Sequence, residues 1–215
     1  MKKTLYLKFV LAYFIFGIFS FIMVTVFVPG ITKEHLVREK AELLYSEAML
    51  ISDTYATGLY TNETDLETVK TQLDFLAVYL DSDIRIINPS GRLVLDTGRP
   101  LNVEEVVMIE NFDPAVSGTS YYMVNDFYGS FESEMLSVLA PITSSYRVKG
   151  YVAIHCDMND IQASCNSMLN ISYITLVILL LLSLIILIFF YGDGIYSPAE
   201  NHSCHGAVCR RKHAL

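Results

Sequence analysis

DIRIINPSGRLVLDTG, residues 83–98, places two short apolar runs, Ile84 to Ile87 and Leu93 to Leu95, on either side of Asn88-Pro89-Ser90-Gly91. Proline pre-sets the backbone for the second position of a type I turn, and glycine suits the end of one. Apolar runs flanking such a turn form a β-hairpin, so the middle of the chain is antiparallel sheet. Downstream, Ser120 to Phe127, Met135 to Pro141 and Gly150 to Cys156 are three further strand candidates. Gly129 and the Ser144-Ser145 region separate them, and a polar connection containing Asn111, Asp113, Pro114 and Gly118 precedes them. A helical stretch from Asn159 follows the last strand.

Upstream the period changes from two to that of a helix. Leu66, Val69, Leu73, Leu76 and Leu80 have helical spacing, and Thr64-Asp65-Leu66-Glu67 has the spacing of a capping box that would open this helix. Before it, Val37, Leu44 and Ile51 recur every seven residues, flanked by Leu36, Leu43 and Leu50 and completed by Ala41, Ala48 and Tyr55. Charged residues such as Glu34, Arg38, Glu39 and Glu47 interleave with this stripe. The pattern predicts an amphipathic stalk helix, for core packing, self-association or both, ended by Gly58 and Thr61-Asn62.

The chain of 215 residues is 53% hydrophobic, and the excess lies in two runs. Phe9 to Val28 and Ile171 to Tyr191 contain no charged residue. At about 1.5 Å per residue each matches a hydrocarbon core of roughly 30 Å. The first run is longer than a signal-peptide core and no Ala-x-Ala site precedes Pro29-Gly30, so it reads as an uncleaved anchor. Lys2, Lys3 and Lys8 precede the first run, and Arg210, Arg211 and Lys212 follow the second. Basic residues are retained on the cytoplasmic side, which predicts that both termini are cytoplasmic and that the lipid bilayer is a partner. The expected organisation is a cytoplasmic tail 1–8, a span 9–28, an extracytoplasmic domain 29–170, a span 171–191 and a cytoplasmic tail 192–215. The fold expected is α+β, a five-stranded antiparallel sheet with long N-terminal helices.

Residues 29–170 carry 9 Lys/Arg against 21 Asp/Glu. That balance argues against nucleic acid as a partner and is compatible with a cation or a small ligand. Catalytic signatures are missing: there is no Gly-x-Ser-x-Gly, His-Glu-x-x-His, phosphate loop or dinucleotide fingerprint. No enzyme and no cofactor are expected. Tyr121, Tyr122, Asp126 and Tyr128 with Arg85 and His155 are candidates for lining a ligand pocket on the sheet. His155 and Cys156, being neighbours on a strand, should face opposite ways. Cys156 and Cys165 could form a disulfide if the domain is extracytoplasmic. Asn62-Glu63-Thr64 has a glycosylation pattern, with its threonine better placed as a helix cap.

The layout of basic tail, span, sensor domain and span resembles the front end of bacterial sensor histidine kinases with a PAS-like, Cache-type sensor. "DIRIINPSGRLVLDTG" looks like the central hairpin of such sensors, and "VKGYVAIHCDM", residues 148–158, is similar to their last strand before the exit helix. The resemblance covers residues 1 to about 198. It implies a homodimer in which a small-molecule or ionic ligand outside moves the second span. Chemoreceptor and cyclase front ends share this layout, and a self-sufficient membrane protein that recruits a partner through its outer domain is the reading from another class. In the kinases a HAMP linker follows; Ile195-Tyr196-Ser197-Pro198 is similar to its entry, and the likeness stops there. The tail beyond it holds Cys204, Cys209, His202, His205 and His213, which are zinc-preferring side chains. Reading its possible codons one nucleotide forward permits the missing HAMP helix, so the cluster is expected to be a frameshift product and no metal site is expected. The residues after Pro198 are too few to hold a phosphoacceptor helix and an ATP domain.

Overall fold

The computed structural model describes residues 2–56, 58, 65–100, 106–114 and 121–195. The chain divides into two compact units, Met1–Ser172 and Tyr173–Leu215. Helix α1 runs over Lys2–Ile51, a π-helical turn over Ser52–Ala56, and helix α2 over Leu66–Leu80. Strands follow at β1 Asp83–Ile87, β2 Leu93–Asp96, β3 Tyr122–Asn125, β4 Met135–Ser144 and β5 Arg147–Asp157, and helix α3 spans Met158–Ile195. The five strands form one antiparallel sheet in the order β2-β1-β5-β4-β3. The fold is thus α+β with long helices at both ends, as expected. Two helical segments, Val10–Tyr55 and Met158–Phe189, are long and apolar enough to cross a membrane, and none of their most apolar stretch is buried against protein.

Strand alternation gives the sheet two faces. One face carries Ile84, Ile86, Val138, Ala140, Val152 and Ile154, which form the main core with the stalk part of α1 and with α2. The buried positions of the stalk are Val37, Ala41, Leu44, Ala48 and Ile51, an alternation of four and three residues. Ala41 and Ala48 are completely buried, and their small side chains let the helix approach the sheet closely. Lys40 Nζ and Ser82 Oγ both donate to the Leu80 carbonyl at 3.1 Å, which satisfies an acceptor that has no partner within the helix at the end of α2. Ser52 Oγ donates to the Pro141 carbonyl at 2.8 Å and ties the π-helical turn to β4.

Four local details differ from the sequence reading. First, α1 gives way to the π-helical turn already at Ser52, ahead of the end expected at Gly58 and Thr61-Asn62; Thr61 and Asn62 lie outside the described residues. Second, the residue that caps α2 is Asp65, with extended backbone and no side-chain cap, and Thr64 of the expected capping box lies outside the described residues. Third, β4 and β5 run further than expected and are joined by Ser145 and Tyr146, whose φ values of 52° and 60° make a tight hairpin turn. Fourth, part of the polar connection pairs beside β2: Leu93 N donates to the Val107 carbonyl and Ile109 N to the Gly91 carbonyl, both at 2.9 Å.

The β1–β2 turn is built as its residues suggest. Asn88 Oδ1 accepts from Ser90 N at 3.0 Å and from Arg92 N at 2.8 Å, while Gly91 N donates to the Asn88 carbonyl at 3.0 Å. Gly91 has φ +83°, and a Cβ there would lie 2.9 Å from both the Ile109 oxygen and Phe112 Cβ. Gly91→Ala is therefore expected to destabilise the domain by about 1–3 kcal/mol. Urea unfolding of the detergent-solubilised chain, followed by tyrosine fluorescence, measures it; an unchanged midpoint would show that the turn and its neighbour yield freely.

Candidate functional site

The second face of the sheet, away from α1, holds the polar groups. Asp83 and Arg85 sit two apart on β1; His155 of β5 lies opposite Asp83, and Ser137 of β4 lies opposite His155. Arg85 pairs across the hairpin with Asp96 of β2. Ile87, Ile109, Phe127 and Ala153 form a smaller apolar cluster on this side, with Phe112, Tyr128 and Phe131 packed against it.

Arg85 and Asp96 are both buried, and Arg85 Nε approaches Asp96 Oδ2 at 3.2 Å. The contact is an ion pair without hydrogen-bond alignment, and neither atom has another hydrogen-bond partner. Gly98 N donates to the other oxygen, Oδ1, at 2.9 Å, and the half-exposed Arg99 lies 3.7 Å from Oδ2. The Arg85 guanidinium rests over the Phe131 ring, 4.3 Å from its centroid. That ring is a second surface on which a desolvated cation is attracted.

His155 is fully buried. Its ring lies between Phe127 and Phe131, at centroid distances of 4.3 and 4.9 Å. Nδ1 and Ser137 Oγ share a hydrogen bond of 2.8 Å, and Nε2 has no partner. Burial, helped by the neighbouring Arg85 charge, holds the imidazole well below its usual pKa, so it is neutral. Burial, with Asp96 adding to it and Arg85 opposing, raises the Asp83 carboxyl.

An open cleft of about 550 Å³ adjoins this cluster. Asp74 and Asp81 from α2 and its end, Asp83 from β1, Asp157 from the end of β5 and Asp160 from the first turn of α3 all line it. Val78, Phe131 and Met135 supply apolar wall, and His155 also lines it. The lining contains no lysine or arginine; Lys70, outside it, pairs with Asp74.

The six residues singled out in the sequence do not form one pocket. Arg85 and His155 are together, both against Phe131. Tyr128 is on the same side but packs on Phe112 and Phe127, with its hydroxyl donating to the Asp113 carbonyl at 2.7 Å. Asp126 is an exposed loop residue whose carbonyl accepts from Phe131 N. Tyr122 lies opposite Val138, on the helix side of the sheet. Tyr121 stacks between Tyr45 of α1 and Tyr122, with its hydroxyl 3.4 Å from Glu42. The sheet itself separates these two tyrosines from His155. Cys156 faces the main core, opposite in direction to His155 as alternation requires, and Cys156 and Cys165 are buried free thiols. Sequence reasoning passed over Ser137, Phe131 and the five cleft aspartates. The "DSD" at 81–83 and the "CDMND" at 156–160 were the available signals.

No protein-family model matches the chain, and no curated protein matches it in sequence. Among solved structures, the sensor domain of the V. cholerae histidine kinase DctB is similar at 14% identity and a TM-score of 0.40, over 62% of this chain and 58% of that one. The ligand-binding domain of the Campylobacter jejuni chemoreceptor Tlp3, in complex with 4-methylisoleucine, is similar at 12% identity and a TM-score of 0.41, over 63% of this chain and 58% of that one. The chain thus spans less than two thirds of either structure, and likeness of this degree assigns no function.

Proposed function

We propose that the chain is the sensory part of a membrane-bound signalling protein. The observation that carries this reading is the wiring of the sheet. Strand β5 passes into α3 at Met158 with no loop between them, and α1 runs unbroken from the first apolar run into the stalk packed on the same sheet. A ligand that favours one arrangement of the sheet and its helices has a direct mechanical route to both apolar segments; such a switch requires different affinities for the two states. In this reading residues 9–28 and 171–191 cross the plasma membrane, residues 29–170 lie outside, and both termini are cytoplasmic. The basic residues at the two ends support that orientation.

The active form is a homodimer joined along the stalk. Leu43 and Leu50, seven apart and next to the buried stripe, are 50% and 57% exposed and give a second stalk an apolar seam. The transmitter is that of a two-component histidine kinase, reached through a HAMP linker, with residues after Pro198 read out of frame. A chemoreceptor transmitter would use the same sensor, and the DNA downstream distinguishes the two.

Labelling with a membrane-impermeant thiol reagent tests the orientation. Cys204 and Cys209 are expected to stay unlabelled in intact cells and to react after lysis. Cys156 and Cys165 are buried and stay silent in both, so a Lys149→Cys variant at an exposed position of β5 serves as the outside reporter. Reaction of the tail cysteines in intact cells would sink the two-span reading.

A further inference from the structure

The aspartates of the cleft are unevenly explained by the fold. Asp157 Oδ1 accepts from Asn159 N at 2.8 Å, and Asp160 lies in the first turn of α3, where carboxylates favour a helix N-terminus. Asp81 and Asp83 sit instead just past the C-terminal end of α2, where the helix dipole disfavours negative charge and the last turn has no basic residue, while Asp74 lies mid-helix. Lys40 reaches that end through the Leu80 carbonyl and Lys70 pairs with Asp74, both from outside the cleft lining, whereas Asp81 and Asp83 form no ion pair among the described residues. A second, independent feature points the same way: His155, fully buried and lining the cleft, leaves Nε2 without a partner. When Nδ1–H donates to Ser137 Oγ, Nε2 presents a lone pair, which accepts a hydrogen bond from a cationic N–H.

We propose that this cleft binds an aliphatic di- or polyamine, its ammonium groups held by the aspartates of the α2 end and the α3 start and its methylenes lying on Val78, Met135 and Phe131. Spacing selects this class over a metal ion. Among the described residues no three His, Cys, Asp or Glu side chains converge to hold one, whereas a calcium ion needs six to eight oxygens at about 2.3–2.6 Å. Dispersed carboxylates with apolar wall between them match separated charges on a flexible chain. A volume of about 550 Å³ lies within the range of small-molecule sites. The inference deepens the sensory reading and rests on it for the consequence of binding: a bound polyamine bridges α2 to the first turn of α3, the helix that continues as the second apolar segment.

The test uses the full chain with Cys204→Ser and Cys209→Ser, reconstituted in phosphatidylcholine nanodiscs and titrated with spermidine by calorimetry against empty discs. One saturable site, weakened by salt, is expected. Asp83→Asn and Asp160→Asn, both isosteric, should each weaken it about tenfold by removing one charge-assisted contact. Glu47→Gln, on the stalk away from the cleft, should leave it unchanged. Absence of saturable heat, affinity unchanged from the parent chain in both Asp variants, or displacement of spermidine by equimolar calcium overturns the polyamine site. Disulfide crosslinking between copies carrying Leu43→Cys, with and without spermidine, separates this inference from the sensory reading. Spermidine binding that leaves crosslinking unchanged supports the site and removes the signalling role; crosslinking that changes with binding supports both.

Discussion

Arg85→Ala is expected to destabilise the α+β domain by about 3–5 kcal/mol, the range for removing one partner of a buried ion pair. The loss comes less from the attraction forfeited than from the charge left behind. Asp96 is 7% exposed, and without Arg85 its Oδ2 keeps only the distant, half-exposed Arg99 at 3.7 Å. Its remaining hydrogen bond, from Gly98 N, reaches the other oxygen. Asp83, already raised by burial and by Asp96, would lose the one positive neighbour that lowers it. The Phe131 ring would also lose the guanidinium that covers it. Arg85→Lys should recover only part of the loss, since an ammonium lacks the planar fork and stacks less well on the ring. Removing both charges, as Arg85→Met with Asp96→Leu, should cost less than Arg85→Ala alone, because no buried charge is then unpaired. Urea midpoints of the detergent-solubilised chain rank the three variants. A double variant worse than the single one would mean that the pair is strongly stabilising in itself.

The expected loss matters because net folding stability is typically about 5–15 kcal/mol. A cluster that costs this much to disturb is poorly explained as a device for stability alone. Arg85, His155, Asp83 and Phe131 share one wall of the sheet beside an acidic cleft, and the burial of Arg85 and His155 fixes that wall in place. Such preorganisation lowers the ordering cost of binding.

How far these features could be read from sequence depended on the range of the interactions behind them. The β1–β2 hairpin was legible because Asn88, Pro89 and Gly91 encode the turn locally. The break between β4 and β5 was legible at the Ser144-Ser145 region, but the form of the turn was not: Ser145 and Tyr146 include no glycine or asparagine, yet both have left-handed backbone between two long ladders. The buried stripe of the stalk was legible from its seven-residue period. Which strand residues share a face was not, because pairing register decides it. Tyr122 falls opposite Val138 and His155 opposite Ser137, so residues grouped for their chemistry are divided by the sheet. The acidic cleft was hidden for a related reason. Its aspartates come from the middle of α2 and the residue just past it, from β1, and from the ends of β5 and α3, and only the folded chain brings them to one opening.

The stalk permits the sharpest test of how the sheet is joined to the first apolar segment. Leu44→Ala is expected to cost about 2–5 kcal/mol, the range for truncating a buried leucine in a core that cannot fully collapse around the cavity. Leu44 is completely buried in the main core, between the equally buried Ala41 and Ala48, so the small flanking residues offer nothing to fill the space. Leu43→Ala, one position away and 50% exposed, should change the stability of a single chain by no more than about 0.5 kcal/mol. The two variants exchange roles when self-association is measured. Leu43→Ala should weaken disulfide crosslinking between stalks carrying Leu50→Cys, because Leu43 belongs to the exposed seam, whereas a folded Leu44→Ala chain retains that seam. Equal stability losses in the two variants would mean that the stalk does not seat on the sheet through the 37, 41, 44, 48, 51 stripe. In that case the stalk part of α1 would have no packed route from the sheet to the first apolar segment.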